Sequence, residues 1–191
     1  MRARDNPFAT HRLDAIPYQP QGETWERSLG RLETMGWRGA VVGPEGSGKT
    51  ALLHDLAPRL EALGFTVRSF RLGGRDEALP KGVFERLARE ASPRLFILLD
   101  GTEQLGARTL RRFLHSASSS GGLVVARHRE GPLPTWVTCK TTPRLLRGLA
   151  KDLLGGDVDG IETLCGELFE AHRGNVRQAL LDLYDRWAAE R

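Results

Sequence analysis

A glycine-rich segment between two apolar stretches carries the residues best suited to chemistry. It runs from Gly43 to Thr50, reads Gly-Pro-Glu-Gly-Ser-Gly-Lys-Thr, and matches the spacing G-x-x-x-x-G-K-[ST] at every fixed position. Glycines let the backbone turn tightly and point successive N–H groups at an anion. The lysine adds a positive charge, and the threonine hydroxyl is a suitable ligand for Mg²⁺. This segment, a Walker A motif, predicts a loop that binds the phosphates of a nucleoside triphosphate.

The predicted ligand contacts extend over the whole loop and into the helix that follows it. Lys49 is expected to reach the β- and γ-phosphates, and Thr50 is expected to ligate magnesium, so the predicted cofactors are ATP and Mg²⁺. The helix that begins near Gly48 adds the positive end of its dipole. The residues predicted to contact nucleotide are Gly43, Pro44, Glu45, Gly46, Ser47, Gly48, Lys49, Thr50 and Ala51.

One aspartate ends a second apolar segment, Arg94-Leu-Phe-Ile-Leu-Leu-Asp100. A nearly continuous apolar run of this length is typical of a strand covered on both faces. Its last residue then lies at the carboxyl edge of the sheet, where α/β proteins bind ligands. Asp100 is therefore the predicted partner of Thr50 in a magnesium site. A carboxylate that only caps the next turn is the alternative that the sequence leaves open.

The elements around these residues alternate between strand and helix. Four helices are predicted over residues 23–35, 48–63, 81–91 and 105–118. Five strands are predicted over residues 39–43, 65–72, 94–100, 123–126 and 136–141. This alternation predicts an α/β fold, in which a five-stranded parallel sheet lies between helices on both faces.

From Pro143 onward the sequence shows helical patterns and no further strand pattern. They cover residues 143–154, 158–172 and 175–190 and predict a small separate bundle. The predicted domains are an amino-terminal arm and helix (1–35), an α/β nucleotide-binding domain (36–142) and the helical bundle (143–191).

Together these motifs resemble the AAA+ and related STAND classes of P-loop ATPases, such as the small bacterial AAA+ helper ATPases, over about residues 39–190. Besides the loop and Phe96-Ile-Leu-Leu-Asp100, the segment Gly174-Asn-Val-Arg177 is similar to the sensor-2 motif of AAA+ lids. The resemblance implies that residues 143–191 form a lid and that Arg177 reaches the nucleotide phosphates. It also implies an ATP-dependent switch or ATPase that acts on a protein or DNA partner.

The chain departs from the AAA+ pattern directly after the predicted metal ligand. AAA+ proteins usually carry a glutamate there, which orients or activates the attacking water, whereas this chain has Gly101. Glu103 and Gln104 are the nearest replacements, and Glu103 is the predicted catalytic acid or base. The other predicted catalytic residues are Lys49, Asp100 and Arg177. Hydrolysis is accordingly expected to be slow, dependent on a partner, or absent.

A second departure lies between the last two predicted strands. Roughly seven residues, Arg129 to Thr135, separate them and include two prolines, so the helix that AAA+ rings usually carry there does not fit. Arg127, at the end of its strand, is the predicted γ-phosphate contact, and Arg129 is the alternative. An arginine in this place is more similar to the STAND switch proteins.

Composition narrows the function without selecting a partner. The formal net charge of +4 allows DNA as a partner but does not require it, and a protein partner or self-association is expected. No run of about 18 apolar residues and no secretory-type start are present, which predicts a cytoplasmic protein without a membrane span. Two alternatives remain: a nucleotide-binding scaffold that does not hydrolyse ATP, and a P-loop kinase, which would need an arginine-rich lid that the sequence lacks.

Overall fold

The computed structural model describes residues 5–13, 15–18, 20, 22–73 and 79–189. These residues form two compact units. The helical unit contains the described residues up to Pro17, together with Pro44–Gly48 and residues 140–189. The sheet unit contains the described residues of Tyr18–Gly43 and Lys49–Cys139. Residues 1–4, 14, 19 and 21 of the predicted arm, residue 190 of the predicted last helix, residue 191 and the stretch 74–78 lie outside the described residues.

The sheet unit is built on five parallel strands in the order β2-β3-β4-β1-β5. The strands are β1 (Arg38–Val42), β2 (Thr66–Arg71), β3 (Leu95–Asp100), β4 (Gly122–Arg127) and β5 (Thr135–Thr138). All residues of β3 and β4 except the last are buried, as expected for central strands of a parallel sheet. The predicted fold class, a five-stranded parallel α/β sheet with a helical carboxy-terminal region, is confirmed.

Helices cover both faces of this sheet because successive strand side chains point to opposite sides. On one face lie α2 (Trp25–Thr34) and α3 (Lys49–Ala62), and on the other lie α4 (Val83–Glu90) and α5 (Ala107–Ser116). The first face buries Val41, Phe96, Leu98, Val124 and Ala126. The second face buries Ala40, Ile97, Leu99, Leu123 and Val125. Burial on both sides explains why these strands read as continuous apolar runs in the sequence.

The helical unit has its own apolar core. It contains the short α1 (Thr10–Leu13) and the longer α6 (Pro143–Leu154), α7 (Ile161–Ala171) and α8 (Val176–Ala189). Phe8 is fully buried in this core, and its ring meets that of Trp187 edge to face, with 6.0 Å between centroids. The buried Asn6 donates from Nδ2 to the carbonyl oxygen of Tyr184 at 2.9 Å. The described amino-terminal residues therefore pack with the carboxy-terminal helices.

Residues before the first strand divide between the two units, although the sequence groups residues 1–35 as one arm and helix. Those up to Pro17 belong to the helical unit, whereas α2 packs on the sheet through Leu32. The domains 1–35, 36–142 and 143–191 stay a prediction, since compact packing does not establish which parts fold independently. No helix in the described ranges combines the length and hydropathy that a bilayer span requires.

Candidate functional site

The lysine of the Walker A motif is held close to the beginning of its own loop. Gly43 follows β1, and its N–H donates to the carbonyl of Arg127 at 3.2 Å. Lys49 opens α3, is 8% exposed, and donates from Nζ to the carbonyl oxygen of Gly43 at 2.8 Å. The ammonium group is thus positioned at the loop, where bound phosphate oxygens could replace a carbonyl as its acceptor.

The middle of the loop has the backbone shape that its glycines permit. Gly46 and Gly48 have φ angles of +70° and +87°, in the region that L side chains rarely adopt. Ser47 is 5% exposed, and its hydroxyl donates to the carbonyl oxygen of Pro44 at 2.8 Å. These features close the loop on itself, as a phosphate cradle requires.

The two predicted magnesium ligands are in direct contact. The hydroxyl Oγ1 of Thr50, in the first turn of α3, donates to Oδ2 of Asp100, the last residue of β3, at 2.7 Å. Within the described residues, no group of three or more His, Cys, Asp or Glu side chains is arranged to hold a metal ion. Two hard oxygen ligands fit Mg²⁺, which commonly keeps several waters and shares substrate phosphates.

Gly101, directly after Asp100, has no room for a side chain. Its φ is +80°, and an added Cβ would lie 2.1 Å from the carbonyl oxygen of Leu72, far below any real contact distance. The close approach follows from strand pairing, since the N–H of Leu72 donates to the carbonyl of Asp100 at 3.0 Å. A side chain cannot be placed at this position without a shift of the backbone.

Glu103 is brought next to His128 instead. It lies in a short 3-10 helix, Thr102–Gln104, and its Oε1 is 3.3 Å from Nε2 of His128. The buried Thr102 fixes this helix against β4, because its hydroxyl donates to the carbonyl oxygen of Ala126 at 3.0 Å. The sequence identified Glu103 as a candidate but gave no sign that it pairs with His128.

The guanidinium group of Arg127 is suited to bind an anion. Its Nε and Nη1 are buried and have no hydrogen-bond partner among the described residues. The guanidinium lies so close to Gly131 that a Cβ there would be 1.6 Å from Nη1. Buried charged donors without an acceptor are costly, so a bound phosphate or carboxylate would stabilise this arrangement. Arg129, the sequence-based alternative, is exposed.

Within the helical unit, the phosphate loop touches the turn that carries Arg177. Arg177 is exposed and lies in the first turn of α8. A Cβ added to Gly46 would lie 2.0 Å from Oδ1 of Asn175 and 3.2 Å from the backbone nitrogen of Arg177. The structure therefore brings Gly46 of the first motif against Asn175 of the third, a contact that the sequence did not reveal.

Two aromatic residues, Tyr18 and Trp25, pack together within the sheet unit. The hydroxyl of Tyr18 is 3.6 Å from the Cys139 sulfur, and burial raises the pKa of the Tyr18 phenol. Burial likewise raises the pKa of the Cys139 thiol. Trp25 donates from Nε1 to the Tyr18 carbonyl and carries the guanidinium of Arg59 4.2 Å above its ring.

A glycine-rich loop after β1, an acid at the end of β3 and the strand order β2-β3-β4-β1-β5 define a P-loop architecture. No protein-family model and no curated protein sequence matches the chain. Solved structures do match, and the likeness to the replication initiator DnaA bound to AMPPCP and single-stranded DNA has a TM-score of 0.62 at 17% identity. It covers 90% of this chain and 62% of that one.

Two further solved structures are similar to this chain. A DNA replication initiation factor gives a TM-score of 0.54 at 16% identity, covering 81% of this chain and 56% of that one. A RuvB mutant from Thermotoga maritima gives a TM-score of 0.52 at 15% identity, and the likeness covers 83% of this chain and 60% of that one. All three proteins are AAA+ P-loop ATPases, so the predicted AAA+-class fold is confirmed. The chain spans less than two thirds of the length of each.

We expect Gly101→Ala to destabilise the protein more than backbone strain alone explains. Gly64 is the matched control, because it has a similar φ of +90° but nothing within 4 Å of an added Cβ. Gly64→Ala should lower the free energy of unfolding by about 1–2 kcal/mol through strain. Gly101→Ala should cost roughly 2 kcal/mol more, since its methyl group meets the Leu72 carbonyl. Urea denaturation measures both, and equal losses would contradict the steric explanation.

Proposed function

We propose that this chain is an AAA+-type molecular switch that binds MgATP through the loop Gly43–Thr50 and Asp100, and that it hydrolyses ATP slowly or on contact with a partner. The observation that carries this proposal is the 2.7 Å hydrogen bond between Thr50 and Asp100. It joins the end of the phosphate loop to the acid at the end of β3. Their contact supports a shared metal site, whereas a capping role for Asp100 would not require Thr50.

The loop would bind and orient the phosphates. Its backbone N–H groups and Lys49 neutralise their charge, while Thr50 and Asp100 hold the cation. When bound, Mg²⁺ supplies Lewis-acid stabilisation of charge on the phosphate oxygens. The glycine conformations and the position of the Lys49 ammonium, 2.8 Å from a loop carbonyl, support this assignment.

Arginine side chains would contact the γ-phosphate and thereby distinguish ATP from ADP. Arg127 is the favoured residue, because a phosphate oxygen would satisfy the buried donors that find no acceptor among the described residues. Arg177 remains a proposal from the sequence motif, supported by the contact of its turn with Gly46. A switch works only as far as a partner distinguishes the nucleotide states, so these contacts must differ between ATP and ADP.

Glu103 is the proposed acid or base of hydrolysis, since His128 holds its carboxylate 3.3 Å away at the end of β4. The second candidate function is a scaffold that binds ATP without hydrolysing it. The closed steric environment of Gly101 favours the scaffold, because it excludes a glutamate from the usual position. The two candidates share the binding site and differ only in turnover.

Partner and location are proposals as well. The net charge of +4, and the single-stranded DNA in the DnaA structure, support DNA as one partner to test. A protein partner or self-association is the other. A cytoplasmic location is proposed too, and two free, buried cysteines, Cys139 and Cys165, would suit its reducing conditions.

Phosphate release from ATP by the purified protein with Mg²⁺, alone and with single-stranded DNA, tests the proposed function. Lys49→Ala should lose turnover and weaken ATP binding at least ten-fold, because the phosphate charge is no longer neutralised. Lys81→Ala, which removes an exposed lysine outside the loop, is the control and should behave as the wild type. Normal ATP binding by Lys49→Ala would contradict the loop assignment.

Asp100→Asn should abolish the magnesium dependence of ATP binding. We expect the wild type to bind a fluorescent ATP analogue several-fold more tightly with Mg²⁺ than with EDTA, and this ratio should approach one in the variant. Asp185→Asn, an exposed change in α8, should keep the wild-type ratio. A full magnesium effect in Asp100→Asn would show that Asp100 only caps the following turn.

Glu103→Gln tests the proposed acid or base, and the turnover of the wild type separates the two candidate functions. If Glu103 activates water, the variant should bind ATP normally and release phosphate at least ten-fold more slowly, because the amide cannot accept a proton. Single-turnover phosphate release provides the measurement. An unchanged rate excludes Glu103, and a wild type that binds ATP without turnover under any condition identifies the scaffold.

A further inference from the structure

We propose that Asn175 is a positioning residue for the phosphate loop, and that its side chain ties Gly46 to the beginning of α8. The loop and the turn that carries Arg177 would then move together when nucleotide binds. This inference rests on the proposed nucleotide binding and gives a role to Asn175, whereas the motif resemblance assigned one only to Arg177.

Gly46 needs an explanation, because the motif does not require it. In G-x-x-x-x-G-K-[ST] the fixed glycines are Gly43 and Gly48, and Gly46 falls on a free position. Its φ of +70° accounts for part of the preference. The rest is steric, since an added Cβ would lie 2.0 Å from Oδ1 and 2.7 Å from Cγ of Asn175. The loop can approach this turn so closely only where a side chain is missing.

Asn175 is held firmly enough to act as a support. Its Oδ1 accepts from the backbone N–H of Gln178 at 3.1 Å, which is the N-cap hydrogen bond of α8. Its own N–H donates to the carbonyl of His172 at 3.0 Å, and its carbonyl accepts from Ala179 at 3.1 Å. The preceding Gly174 has a φ of +81°. Because backbone and side chain are both bonded, the amide cannot rotate away from the loop without loss of the cap.

The contact gives the loop a direct connection to Arg177. The backbone nitrogen of Arg177 would be only 3.2 Å from the added Cβ, so Gly46 lies against both Asn175 and the first turn of α8. A change of loop conformation on phosphate binding must therefore shift this turn or lose the contact. Asn175 thereby favours one loop conformation, and a variant without its amide should bind nucleotide more weakly although the motif residues are intact.

A double-mutant cycle tests the contact. Gly46→Ala, Asn175→Ala and the double variant are compared in their urea midpoints and in their dissociation constants for a fluorescent ATP analogue. We expect Gly46→Ala to weaken binding about ten-fold or more. The double variant should bind no worse than Gly46→Ala alone, because the methyl group no longer meets the amide. Additive effects on both readouts would overturn the contact.

Two further variants separate positioning from helix capping. Asn175→Ser retains a good N-cap residue but shortens the side chain, so it should weaken ATP binding several-fold with a nearly unchanged urea midpoint. Thr142→Ala removes the side-chain cap of α6, where Thr142 Oγ1 accepts from the Leu145 N–H. It should lower the midpoint and leave ATP binding unchanged. Wild-type binding by Asn175→Ser would overturn the positioning role.

The outcomes also separate this inference from the proposed function. Coupled urea midpoints with additive binding constants would establish the contact and overturn its role in nucleotide binding. A wild type that binds no nucleotide would overturn the proposed function and, with it, that role. In that case the midpoints still report whether Gly46 and Asn175 touch.

Discussion

Parallel pairing of all five strands is the constraint on which the candidate site depends. In a parallel sheet every strand delivers its carboxyl end to the same edge, and the order β2-β3-β4-β1-β5 makes β4 the neighbour of both β1 and β3. Gly43, Asp100 and Arg127 therefore leave adjacent strands at one edge, although they are far apart in sequence. The hydrogen bond from Gly43 to the carbonyl of Arg127 continues this pairing into the phosphate loop.

The same strand pairing limits which residue can stand directly after Asp100. Bonding of Leu72 to Asp100 continues the pairing of β2 with β3 beyond the strand ends, and this leaves no room for a side chain at residue 101. The first acidic side chain further along is that of Glu103, which the 3-10 helix places beside His128. The tight pairing of these strand ends thus excludes a glutamate side chain at residue 101 in this backbone.

The sequence was sufficient to predict the elements and motifs that have a regular pattern. Apolar runs and helical periodicity located the strands and the longer helices, and motif spacing located Lys49, Thr50 and Asp100, whose contacts come from strand order. It did not find Phe8 in the core of the helical unit, since an isolated aromatic residue in a proline-containing arm has no period. Nor did it find the pairs Glu103–His128 and Gly46–Asn175, because each depends on a single side chain reaching another element.

The packing of Phe8 and Asn6 also affects how the chain is synthesised. Asn6 bonds to Tyr184, 178 positions later, so these amino-terminal residues leave the ribosome long before their partners exist. The residues of the sheet unit are complete by Cys139 and could collapse while synthesis continues. The helical unit, by contrast, must leave its core unfinished until α8 has emerged. Until then Phe8 remains an exposed apolar side chain, which a chaperone could bind or another nascent chain could capture.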